Sequence, residues 1–132
     1  MIKVYYFIKS EEALALRKDA VDMLRKLCPA LQSALLSSAI KHAIPDRPAI
    51  LSGALELWFE SIVEAEVASE FSPAQLFLSP VEVAPALVGM ERVVMRLPSF
   101  YEKNGVKAIY AFRRKGSMPV EQFQHYWWHN HG

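Results

Sequence analysis

The segment Ile109-Tyr110-Ala111-Phe112-Arg113-Arg114 repeats the pattern of Val4-Tyr5-Tyr6-Phe7-Ile8-Lys9, and a helix-like stretch follows each copy. A chain that opens the same strand-helix unit twice is restricted to folds that mix one sheet with packed helices. The second copy stops at His131-Gly132, before the strand that should follow it, so the sequence predicts one complete domain and the opening of another. Residues 1–97 form the expected domain, 98–105 (with Pro98, Asn104 and Gly105) a linker, and 106–132 the first β-α unit of a second repeat.

Residues 2–8 are β-branched and aromatic, too few for a stable helix and apolar on both faces, which predicts a central strand. Ser10 can cap a helix, with Glu11 and Glu12 at its positive end. Ala13, Leu16, Ala20, Leu24 and Leu27 then recur at helical spacing until Pro29 stops them. Residues 31–44 satisfy neither period and are assigned as strand. After the turn Pro45-Asp46-Arg47-Pro48, residues 49–59 alternate: Leu55, Leu57 and Phe59 on one face, Ala54, Glu56 and Trp58 on the other. Residues 60–71 predict a short amphipathic helix ended by Ser72-Pro73, and 90–97 a fourth strand. The order β-α-β-β-α-β is that of the ferredoxin-like α+β fold, an antiparallel sheet with both helices on one face. The sheet's other face needs cover, which dimerisation or duplication would supply.

Composition narrows the function. In 132 residues, 52% are hydrophobic and 15 basic groups offset 14 acidic ones, leaving a net charge of +1 with no basic stripe for nucleic acid. The apolar runs fall short of the ~20 residues that cross a bilayer. With no cleavable leader after Met1, and Cys28 as its single cysteine, the chain reads as soluble, unsecreted and cytoplasmic.

The opening strand Val4-Tyr5-Tyr6-Phe7, the passage from Gly53 through Trp58 to Ser61, and the stretch with Phe123, Trp127, His131 and Gly132 together resemble the EthD family. The last is the most specific: a Phe, a Trp four residues on and a His-Gly four residues after that. The first copy departs from it, with Leu27-Cys28-Pro29 where the family has His-Gly-Pro. The resemblance implies a dimeric α/β barrel: a homodimer joined through the sheet, enclosing a cavity for a small apolar or aromatic molecule. Cofactor-free proton transfer of oxygenase, cyclase or decarboxylase type is the implied chemistry. The alternative is a non-catalytic ligand carrier or accessory subunit of a degradation pathway.

Two residues are catalytic candidates. His131 shares the apolar stripe of Val120, Phe123 and Trp127 at about 100° per residue, yet can give or take a proton; its plainer role is to meet the last carbonyls of its helix. Glu56 beside Trp58 would suit proton transfer if that strand face lines a cavity. A solvated edge position, or an ion pair with a Lys or Arg on a neighbouring strand, is its plainer role. Trp58, Tyr5, Tyr110 and Trp127 are the candidate ligand-binding residues, with core packing the ordinary use of such tyrosines. His125 and His129 have the i, i+4 spacing of a metal pair but lie opposite the apolar stripe with no third ligand evident, so no metal site is expected. Cys28 reads as a buried structural thiol.

Overall fold

The computed structural model describes residues 1–39, 51–90 and 114–131. Its centre is β1 (Ile2–Lys9), flanked on one side by β3 (Gly53–Phe59) and on the other by β4 (Glu82–Val83) and β5 (Leu87–Met90); β2 (Ser33–Ser38) pairs with the far side of β3. Every pairing is antiparallel, in the order β2-β3-β1-β4 with β5 also on β1. The fold is thus α+β with an open antiparallel five-stranded sheet, compatible with the expected β-α-β-β-α-β order. The central place of β1 follows from its composition, since a strand apolar on both faces is stable only where neither faces water.

The helices α1 (Ala20–Leu27) and α2 (Ile62–Ser69) connect strands of this sheet, and α3 (Val120–His131) follows later in the chain. By contact, the chain divides into two compact units, Met1–Glu91 and Arg92–Gly132. In the first, Val4, Tyr6 and Ile8 of β1 and Leu55, Leu57 and Phe59 of β3 point to one face, where they form the core with Leu24, Ala65 and Ala68. Strict alternation makes this possible, and the predicted split of the β3 residues between two faces is observed.

The first helix is shorter than its periodicity suggests, beginning at Ala20 rather than after Ser10. Residues 15–17 instead run extended: the Arg17 amide donates to the Leu76 carbonyl at 2.9 Å and the Leu78 amide to the Ala15 carbonyl at 3.0 Å. Leu16 bridges Phe77. Backbone bonds to a distant segment therefore outcompete local helix formation, which in a short segment is weakly cooperative. Ser10 does cap locally, its Oγ accepting from the Glu12 amide at 3.2 Å, but no helix follows. Asp19, just before α1, binds the Arg17 guanidinium (Nε to Oδ1, 3.0 Å) rather than the helix end.

The strand beside β1 also comes earlier than expected. It is built from β4 and β5, whereas residues 91–97, like the turn at 45–48 and the linker at 98–105, lie outside the described residues. Pro85 falls between β4 and β5; lacking an N–H, it is tolerated at a sheet edge only where the ladder is interrupted. The Ala84 amide closes that gap by donating to the Phe7 carbonyl at 3.0 Å.

Tyr6 ties the sheet to α2. Its hydroxyl, 2% exposed with its residue, donates to the Ala68 carbonyl at 2.5 Å, and its ring meets Phe71 edge-on. Burial foremost, with Cys28 and Glu70 adding, pushes the phenol from 10.0 up to about 12. The raised value stabilises the fold fully below pH 10, and that contribution is lost as the pH rises through about 12. Tyr6→Phe should cost about 1 kcal/mol at pH 7 for the lost hydrogen bond. Urea midpoints followed from pH 9 to 12 should fall more steeply for the wild type than for Tyr6→Phe; parallel curves would refute the assignment.

Candidate functional site

The candidate site lies on the sheet face turned away from the core. The β1–β3 register sets Tyr5 opposite Glu56 and Lys3 opposite Trp58, so alternation brings Lys3, Tyr5 and Phe7 onto the same face as Ala54, Glu56 and Trp58. Leu35 of β2 and Leu87 of β5 extend this face outward, opposite Glu56 and Tyr5 respectively.

At its middle is an ion pair. Lys3 Nζ donates to Glu56 Oε2 at 3.4 Å, with Lys3 5% exposed and Glu56 fully buried. Taking either charge out of water alone costs several kcal/mol, so their proximity is what makes joint burial tolerable. The ammonium also lies 4.4 Å from the centroid of the Trp58 ring and 5.7 Å from that of Tyr5. Both separations are within the reach of a cation–π attraction. Tyr5 and Phe7 stack with centroids 6.5 Å apart and planes 12° from parallel. The result is a buried carboxylate and ammonium set against half-buried aromatic rings.

Three of the sequence-derived candidates, Glu56, Trp58 and Tyr5, are therefore neighbours. Of the two plainer roles weighed for Glu56, the solvated edge position does not hold, since the residue is fully buried, and the ion pair is present, with Lys3 as its cation. Lys3 itself escaped sequence reasoning, although it sits two residues from Tyr5 and so on its strand face; only the register, which needs the pairing of β1 with β3, reveals its partner. Tyr110 lies outside the described residues. Trp127 is on α3, in the second unit, and is 36% exposed. His131 is the last residue of α3, with its side chain outside the described set.

His125 and His129 are exposed on α3, with ring centroids 4.2 Å apart at a 45° tilt. Among the described residues no group of three or more His, Cys, Asp or Glu side chains is placed to hold a metal ion. Cys28 is 4% exposed, and burial pushes its thiol up, away from the reactive thiolate. Among the described residues, no helix is long and apolar enough to cross a membrane.

No protein-family model matches this chain, and no curated protein shows significant sequence similarity to it.

The pair's contribution can be measured directly. Lys3→Met takes the ammonium away from a fully buried carboxylate and should lower the unfolding free energy by about 3 kcal/mol. Lys3→Met combined with Glu56→Leu, which replaces both charges with hydrocarbon of similar size, should recover most of that loss. Equal destabilisation by the single and double substitutions in urea titrations would show that the pair is not coupled.

Proposed function

We propose that the first unit is an EthD-like, ferredoxin-like half-barrel whose core-free sheet face closes against a second copy, as in a dimeric α/β barrel. The enclosed space would bind a small apolar or aromatic molecule. The carrying observation is the buried Lys3–Glu56 pair beside Trp58 and Tyr5, on the one sheet face that the unit's core does not occupy. Ionic groups are costly in an apolar setting and cluster at functional sites, which supports a chemical role.

In this reading Trp58 and Tyr5 stack the ligand's ring. The Glu56 carboxylate accepts a proton from an acidic C–H or O–H of the ligand, and the electron pair left behind forms an enolate or phenolate facing the Lys3 ammonium. Electrostatic stabilisation of such an anion by a fixed cation, away from water, is the largest lever a cofactor-free site has. His131 is the second assigned proton-transfer residue, from its place on the Phe123 and Trp127 stripe, and Tyr110 and Trp127 are further ligand contacts of the second repeat. A cytoplasmic homodimer is the setting we assign.

A carrier or accessory role is the second reading. It is favoured by the complete burial of Glu56 against Lys3, which is also how a purely structural pair looks.

Native mass spectrometry of protein purified without added ligand tests both. A dimer retaining a small organic mass, lost in Trp58→Ala, is the expected result; an apo monomer would overturn the cavity reading. With the retained compound as substrate, Glu56→Gln and His131→Ala should each abolish turnover while keeping the ligand bound. Binding without turnover in the wild type would decide for the carrier.

A further inference from the structure

A cleft lies on the side of the sheet opposite Glu56, and its origin is the way α2 packs. The helix spreads its apolar residues around its circumference rather than along the single stripe its sequence suggests, and so apolar a helix is ordinarily buried on most sides. Here only Ala65 and Ala68 are buried, while Val63 and Val67 stand 63% and 69% exposed. Small residues inward let α2 approach the sheet closely, and its larger residues then stand above the surface. Between them and the end of α1 is a cleft of about 160 Å³, with Phe59 and Cys28 at its base and Leu27, Val63 and Val67 around it. These positions are all in the first unit.

We propose that this cleft is a binding site for a neutral, single-ring apolar molecule, separate from the sheet-face site and independent of it. Size supports this class: an apolar cavity of about 150 Å³ is enough to hold benzene. Chemistry supports it too: hydrocarbon dominates the lining, and no buried side-chain nitrogen or oxygen among the described residues lacks a hydrogen-bond partner. Among the described residues of the lining, Glu64 is the one that is charged, and it is itself exposed, which disfavours an anionic ligand without attracting a neutral one. Filling the cleft would remove exposed valine surface from water, which favours binding.

The test is a titration of the full chain with toluene, followed by amide chemical shifts, with benzoate as the charged counterpart. Toluene should shift the Cys28, Val63 and Val67 resonances saturably, with a half-point on the order of 1 mM as expected for so small a ligand, and benzoate should not. Val67→Trp, which places an indole over the cleft, should remove the response. Glu56→Gln, on the other sheet face, should leave it intact. Because Cys28 is the single cysteine, its rate of reaction with a disulfide reagent gives a readout in the wild type alone, and saturating toluene should slow it severalfold.

Three results would overturn the proposal. One is unmoved resonances together with unchanged thiol reactivity. Another is a response abolished by Glu56→Gln but not by Val67→Trp. The third is shifts at Val63 and Val67 that follow protein concentration rather than toluene, which would make the patch a contact between copies of the chain.

Discussion

The Lys3–Glu56 ion pair depends on the register of β1 against β3, on which the rest of the sheet is built in turn. With Tyr5 opposite Glu56, both charges share the face away from the core and meet diagonally at 3.4 Å. A slip of one residue would carry the Glu56 side chain across to the apolar core of Leu24, Ala65 and Ala68. The same slip would turn Leu55, Leu57 and Phe59 out of the core. Apolar burial and ion pairing therefore select one register together, which is the agreement between local and global preferences expected of a sequence with a single fold.

The two faces of the sheet handle polar groups differently, and this separates structure from chemistry. On the core face the polar atom most deeply involved is the Tyr6 hydroxyl, satisfied by a backbone carbonyl of α2 and kept neutral by burial. A group so held has little to offer a ligand. On the other face the buried polar side chains, Lys3 and Glu56, are ionic and set beside aromatic rings, outside the hydrophobic core. That contrast is why we assign binding and proton transfer to the face carrying Glu56 rather than to the core side.

What was legible in the sequence follows from the range of the interactions involved. β1 and β3 are visible because period-2 alternation is local, and the division of Leu55, Leu57 and Phe59 from Ala54, Glu56 and Trp58 needs nothing beyond the strand itself. The extended path of residues 15–17 was hidden because its cause, the pairing of Arg17 and Leu78 with residues 76 and 15, spans some sixty positions of chain. β4 and β5 were hidden for a different reason: Pro80 and Pro85 look like loop punctuation, and a short edge ladder needs only a few residues between them. Lys3 was hidden because a lysine near a chain start is ordinarily solvated, and only its neighbour across the sheet makes it otherwise. The candidate site was half legible by the same logic, Glu56 and Trp58 from one strand's parity, their cation only from two strands together.

The packing of α2 follows from a trade between closeness and coverage. A helix that turned Val63 and Val67 inward would bury more apolar surface but would stand further from the sheet, because helix-to-neighbour distance is set by the side chains at the contact. Ala65 and Ala68 allow the near approach that brings the Ala68 carbonyl within reach of the Tyr6 hydroxyl, a bond that larger residues at those positions would hold apart. The valines left outside are then a consequence of anchoring Tyr6, and the cleft beside Phe59 and Cys28 is the space that this anchoring leaves between α2 and the end of α1. One tyrosine hydroxyl thus connects the sheet register on one side of the molecule to an apolar recess on its surface.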